Sequence, residues 1–141
     1  MHYTEYHKNN TNAQIHAFCI PMLVFSSLVY MKSLKVYGIF RLSDIYEIFC
    51  FFYYYSYNFR VGTFMLFYLV ILDSLSEEFI LRYSNTNNLY KINTTLFITA
   101  WILQFWGHYI EGSAPALTDS LTTAITEAPM FSLNYIINIG I

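Results

Sequence analysis

Long apolar runs with almost no charge are the feature that most restricts how this chain can fold. Residues 15–31 and 92–110 contain no Asp, Glu, Lys or Arg, and each segment has one histidine, His16 and His108. Charged residues make up 11% of the 141-residue chain, whereas a typical soluble domain has about 25%. A small globule keeps much of its surface in water, so a bilayer accommodates this much apolar surface more easily. We therefore predict a helix-rich integral membrane protein.

The apolar segments follow one another in a way that predicts several helices. The four clearest segments are residues 15–31, 45–59, 61–72 and 92–110. About 20 helical residues cross a bilayer, so the first and fourth segments are nearly long enough by themselves. The more mixed tail, residues 117–141, is either a fifth span or a helix lying in the interface. We predict an all-α, polytopic membrane helical bundle of four to five helices, built as a single domain over residues 1–141.

The connection between the second and third segments decides the topology. Asn58, Arg60 and Gly62 interrupt the apolar pattern, which favours a helical hairpin with a turn near residues 58–62. One long helix with Arg60 at mid-membrane is the alternative, although a central arginine costs several kcal/mol unless it reaches the interface or a partner. With the hairpin, the start of the first segment and the end of the fourth lie on the same side of the membrane. With one long helix they lie on opposite sides.

Local signals predict where helices begin and break. Thr11 or Asn12 is a candidate N-cap of the first helix, because a short polar side chain satisfies free amide groups. Pro21 is expected to kink or restart that helix. The stretch 73–91 is polar, and we expect Glu77 and Glu78 in a solvated loop, with an acid–base role as the alternative.

The charge balance argues against a nucleic acid partner, and the cysteine pattern argues against a disulfide framework. The formal net charge is −2 with seven lysines and arginines, and no basic stripe is present. A phosphate backbone therefore has no complementary surface, and no nucleic acid partner is expected. Cys19 and Cys50 lie in apolar runs without a Cys-x-x-Cys spacing, which predicts packed free thiols.

Histidines at the two ends of the apolar region are candidate metal ligands. His7 and His16 flank the start of the first segment, and His108 ends the fourth, three residues before Glu111. Ionisable groups at membrane depth are costly, and the hairpin topology allows all four to converge. Imidazoles with one carboxylate and open positions suit non-haem Fe(II) that activates O₂. Gln104, one turn before His108, either orients a ligand or makes an interhelical hydrogen bond.

Two stretches resemble a known family. They are residues 6–21, YHKNNTNAQIHAFCIP, and residues 101–117, WILQFWGHYIEGSAPAL. Together they are similar to the fungal 2-hydroxy fatty acid dioxygenases of the endoplasmic reticulum. The resemblance implies an Fe(II)-dependent enzyme that consumes O₂ and alpha-oxidises 2-hydroxy fatty acids to acids one carbon shorter, as in phytosphingosine breakdown. It also implies residence in the lipid bilayer of the endoplasmic reticulum, with the acyl chain among the helices.

The resemblance also assigns roles to residues. It implies that His7, His16 and His108 hold the iron, and that Glu111 is a further ligand and the catalytic carboxylate. The rival interpretations are a non-catalytic multi-span membrane protein, such as a scaffold or transporter subunit, and a family member that has lost activity. Membrane orientation stays open, because the positive-inside rule puts the iron site on the lumenal face whereas the resemblance suggests cytosolic termini.

Overall fold

The computed structural model describes residues 9–112, 114 and 121–140, and most of them are helical. The helices are α1 (Asn10–Lys32), α2 (Leu42–Tyr57), α3 (Phe59–Tyr83), α4 (Leu89–Glu111) and α5 (Leu121–Ile137). The chain divides into two compact units, which we call the terminal unit (Met1–Leu23 with Ile98–Ile141) and the central unit (Val24–Phe97). The prediction of a helical protein with four to five helices is confirmed for the described residues.

A small β-hairpin, which the all-α prediction did not include, joins α1 to α2. Its strands are β1 (Lys35–Tyr37) and β2 (Phe40–Arg41), paired antiparallel. Gly38 begins the turn with a positive φ of +57°, which glycine adopts without the steric penalty of a side chain. The β-branched and aromatic pair Val36 and Tyr37 favours the extended backbone before the turn. The segment is short and exposed, so its apolar pattern alone did not reveal a strand.

In the terminal unit, α1 continues through Pro21, so the helix does not restart there, which was one of the two predicted effects of the proline. Proline has no N–H, so the main-chain carbonyl of Ala17 lacks its usual helical donor. The Ser132 hydroxyl on α5 donates to that carbonyl at 2.6 Å, and both residues are fully buried. A buried carbonyl without a partner is costly, so this side-chain hydrogen bond explains how the helix tolerates the proline.

The central unit contains the predicted helical hairpin. α2 ends at Tyr57 and α3 begins at Phe59, with Asn58 between them in extended geometry. The Asn58 side-chain oxygen accepts a hydrogen bond from the Val61 main-chain N–H at 2.8 Å and caps α3. Gly62 lies against the Tyr55 ring, so close that an added Cβ would be 2.7 Å from it. The hairpin near residues 58–62 is confirmed, and the alternative of one continuous helix is wrong.

An ion-pair network around the buried Lys32 links α1, β2 and α3 in the central unit. Lys32, the last residue of α1, has a side chain only 2% exposed. Its ammonium lies 2.5 Å from Asp73 Oδ1 and 2.8 Å from Glu77 Oε2, and Arg41 contacts the same Glu77 oxygen at 3.1 Å. Hydrogen bonding from Lys32 lowers the pKa of Glu77. These contacts make Glu77 a structural partner of a buried cation.

This network corrects the expectation of a solvated loop around Glu77 and Glu78. α3 continues as a helix to Tyr83, and the loop lies only beyond it. Glu78 is 63% exposed and pairs with Arg82 one turn away, while Glu77 faces Lys32. Removing a lysine ammonium from water requires an anionic partner. Lys32 and Glu77 are more than 40 positions apart in the sequence, so the polarity of residues 73–91 alone did not reveal this ion pair.

Among the described helices, α1 is the one long and apolar enough to cross a membrane. Its mean hydropathy is 1.5 over its most apolar stretch, and 44% of that stretch is buried within the protein. Large apolar side chains are also exposed along α2 and α3, for example Ile48, Phe52, Phe59, Phe67, Val70 and Ile71. These features give limited support to an association with a membrane.

Candidate metal centre

Two of the predicted site residues face each other in the terminal unit. His16 lies on α1 and His108 on α4, and they are 1% and 5% exposed. Their ring centroids are 4.6 Å apart, and the rings are inclined at 75° in an edge-on arrangement. The helix periodicity places His16 on the face of α1 that packs against α4, and His108 on the face of α4 that packs against α1. The structure therefore brings together one imidazole from each end of the chain.

The hydrogen bond of His16 determines which ring nitrogen carries the proton. Its Nδ1 lies 3.1 Å from the main-chain oxygen of Asn12, one helical turn earlier. A carbonyl oxygen only accepts hydrogen bonds, so Nδ1 carries the proton. In the neutral ring the lone pair is then on Nε2, and this Nδ1–H to carbonyl arrangement is common among metal-binding histidines. Nε2 is thus the His16 nitrogen that would bind a cation.

Glu111, at the end of α4, closes onto the first turn of α1. Its Oε1 accepts a hydrogen bond from the Asn9 main-chain N–H at 3.1 Å, and its Oε2 accepts a close one from the Asn12 side-chain amide. Free amide groups and the helix dipole favour a negative charge at this position. Glu111 lies three residues beyond His108, so its contacts with Asn9 and Asn12 tie the imidazole-bearing end of α4 to α1.

The described residues supply only part of the predicted ligand set. Within residues 9–112, 114 and 121–140, no group of three His, Cys, Asp or Glu side chains is arranged to hold a metal ion. His7 lies outside the described residues. Of the four predicted site residues, the structure thus pairs His16 with His108 and holds Glu111 on the start of α1.

Sequence reasoning missed the role of Asn12. It appeared only as a candidate N-cap, but the cap is Asn9, whose side-chain oxygen accepts from the Thr11 main-chain N–H at 2.9 Å. Asn12 is instead fully buried and contacts both Glu111 and His16. Its spacing of four residues before His16 places the two on one helix face. That spacing is the signal that could have identified it.

Gly107 allows the close approach of α1 and α4 at this point. A Cβ added to Gly107 would overlap the side-chain oxygen of Asn12 and lie 3.5 Å from its Cα. A larger residue at this position would therefore displace the Asn12 side chain from the place it takes beside Glu111. The glycine in the Gly107–His108 pair has a packing reason that the sequence alone did not show.

Gln104 lies one turn before His108 on α4 and is 6% exposed. Its side-chain nitrogen makes no hydrogen bond within the described part of the chain. Residues four apart share a helix face, so the Gln104 amide is on the His108 side of α4. Neither of the two predicted roles, orienting a ligand or joining helices, is filled by this nitrogen among the described residues.

Comparisons with known proteins point to one family. A family model described as 2-hydroxy-palmitic acid dioxygenase Mpo1-like matches residues 1–138. The chain is also 27% identical over 130 residues to a Saccharomyces cerevisiae protein named 2-hydroxy-palmitic acid dioxygenase MPO1. That alignment covers 92% of this chain and 72% of the yeast protein. No solved structure gives a significant match.

Proposed function

Because this chain belongs to the Mpo1-like family of 2-hydroxy-palmitic acid dioxygenases, we propose that it is an Fe(II)-dependent dioxygenase of 2-hydroxy fatty acids. The observation that carries this proposal is the buried pair of facing imidazoles, His16 and His108. Two inward-facing histidines from separate helices have no obvious packing advantage over apolar residues. They are suited to binding a cation.

The proposed reaction balances without an added reductant. A 2-hydroxy acid and one O₂ give the acid one carbon shorter, one CO₂ and one water. The bond between C1 and C2 breaks, C2 is oxidised to a new carboxyl group, and C1 leaves as CO₂. The substrate supplies all the electrons that reduce O₂, so the protein has only to bind and orient the reactants and exclude water.

The spacing of His16 and His108 supports the proposal of an iron ion between them. Two imidazoles bound to one ion at neighbouring positions, with bonds of about 2.1 Å, have ring centroids roughly 4.5 Å apart, and this pair is separated by 4.6 Å. We propose that His16 and His108 bind the iron, with His7 and Glu111 as further ligands. A carboxylate has about four lone-pair sites, so hydrogen bonds to Glu111 and a metal bond are compatible. Bound iron would activate O₂ and polarise the substrate.

A membrane location follows from the nature of the substrate. A long-chain hydroxy acid partitions into lipid, and the proposed enzyme meets it there with α1 in the membrane and apolar side chains of α2 and α3 against acyl chains. The hydropathy of α1 and the exposed apolar side chains support this proposal. We extend it to a polytopic bundle in the endoplasmic reticulum, where phytosphingosine breakdown would provide substrate.

A chain-shortening assay tests the proposed function. Protein purified in detergent is incubated with Fe(II), O₂ and 2-hydroxypalmitate, and the products are identified by mass spectrometry. We expect pentadecanoic acid from the wild type and only background from His108→Ala. Tyr109→Phe is the matched control, because Tyr109 follows His108 on α4 but is 83% exposed, and it should keep wild-type activity.

Two outcomes would contradict the proposal. Full activity of His108→Ala would remove the histidine from the iron site. Absence of product from folded wild-type protein supplied with Fe(II) would favour a non-catalytic membrane protein or a family member that has lost activity.

A further inference from the structure

We propose that Asn12 is a positioning residue, which joins Glu111 to His16 and thereby aligns the His16–His108 pair for metal binding. This inference rests on the proposed iron site. It goes beyond the ligand set, because the two hydrogen bonds of Asn12 go to proposed ligands and not to the metal.

Asn12 connects both helices of the site through different atoms. Its side-chain Nδ2 donates to Glu111 Oε2 at the end of α4. Its main-chain oxygen accepts the hydrogen bond from His16 Nδ1 on α1. The residue is 0% exposed, so water does not compete for these hydrogen bonds. One buried residue therefore fixes a ring orientation on α1 and the end of α4 together.

The spacing along each helix lets the Asn12–Glu111 contact fix how α1 and α4 are aligned along their axes. Asn12 lies four residues before His16, and Glu111 lies three residues after His108. At about 1.5 Å per residue, the Asn12–Glu111 contact is one turn from the imidazole pair on both helices. A fixed contact one turn away restrains both sliding and rotation of α1 against α4. Gly107 contributes by letting Asn12 reach this position.

The chemistry of the contact requires a hydrogen-bond donor on the side chain of residue 12. A carboxylate has no proton to donate at neutral pH, so the amide nitrogen of Asn12 must face Glu111. Its oxygen then faces Gly107, which is the side where an added Cβ would overlap. Aspartate has the same shape, but it would place a second negative charge against Glu111 and lose the charge-assisted hydrogen bond. Alanine would leave the carboxylate without this donor.

Fe(II) affinity separates positioning from simple structural support. We would measure anaerobic Fe(II) binding by competition with a chromophoric chelator, and the thermal unfolding midpoint, for the wild type, Asn12→Asp and Asn12→Ala. The control is Ser132→Ala, which removes another buried hydrogen bond onto α1 but none to an imidazole or to Glu111. We expect both Asn12 variants to bind Fe(II) about 10- to 100-fold more weakly. Ser132→Ala should lower the unfolding midpoint and keep wild-type affinity.

The outcomes distinguish this inference from the proposed function. If the wild type binds Fe(II) and folded Asn12 variants bind it equally well, Asn12 has no positioning role and the iron site stands. If the folded wild type binds no Fe(II), the iron site fails and the inference fails with it. Should Asn12→Asp prove unfolded, Asn12→Ser replaces it with the same expected loss, because its shorter side chain does not reach Glu111.

Discussion

At the scale of single residues, the buried ammonium of Lys32 shows how one charge organises its surroundings. Its side chain is 2% exposed, whereas its partners Asp73 and Glu77 are 32% and 41% exposed. The carboxylates can therefore regain water if the lysine is removed, but the lysine cannot if the carboxylates are neutralised. An unpaired buried charge is far more costly than a lost ion pair.

We therefore predict an unequal response to the removal of the two signs of charge. The double variant Asp73→Asn/Glu77→Gln should lower the free energy of unfolding by about 3 kcal/mol, and Lys32→Met by about 1 kcal/mol. Adding Lys32→Met to the double variant should restore part of the loss. Chemical unfolding in detergent measures all four proteins. A larger loss for Lys32→Met than for the double variant would contradict this account.

The candidate site could be predicted in part at this scale. His16 and His108 were identifiable because ionisable residues in apolar runs are few and the resemblance covers both motifs. Their ring centroids are 4.6 Å apart, which supports placing the two histidines in one site. The role of Asn12 could not be predicted, because it depends on Glu111 reaching across from another helix. That Glu111 is a metal ligand remains a prediction.

At the scale of elements, α1 and α5 are coupled through a proline. Pro21 leaves the Ala17 carbonyl without a helical donor, and Ser132 supplies the replacement. We predict that Ser132→Ala lowers the free energy of unfolding by about 1–3 kcal/mol in the wild type, because a buried acceptor loses its partner. The same change should cost clearly less in a Pro21→Ala background, where residue 21 regains its N–H.

A double-mutant cycle on thermal or chemical unfolding measures this coupling directly. The cycle needs the wild type, both single variants and the double variant. An equal cost of Ser132→Ala in both backgrounds would show that the hydroxyl does not replace the missing helical hydrogen bond.

Local signals predicted the elements well where the cause was local. Asn58 and Gly62 indicated the turn between α2 and α3, and the turn begins at Asn58. The same reasoning failed where a distant residue intervenes. Ser132 lies 115 positions after Ala17 and keeps α1 intact at Pro21. Lys32 lies 45 positions before Glu77 and pairs with it, and Glu77 lies within α3 where the sequence predicted a loop.

At the scale of the whole molecule, apolar composition argues for a membrane. α1 can span a bilayer by length and hydropathy, and large apolar side chains remain exposed on other helices. We predict that the full chain expressed in cells sediments with membranes, resists extraction by alkaline carbonate and dissolves in mild detergent. Immunoblotting of the fractions measures this, with a peripheral membrane protein as control. Release of the chain by carbonate would contradict an integral membrane protein.

The central claim is that one iron ion is held between the imidazoles of α1 and α4. The most direct test is the iron content of detergent-purified protein loaded anaerobically with Fe(II) and measured by inductively coupled plasma mass spectrometry. We predict about one iron per wild-type chain, as expected for a mononuclear site, and loss of most of it in both His16→Ala and His108→Ala, with Tyr109→Phe unchanged. Wild-type iron content in the two folded histidine variants would contradict the account.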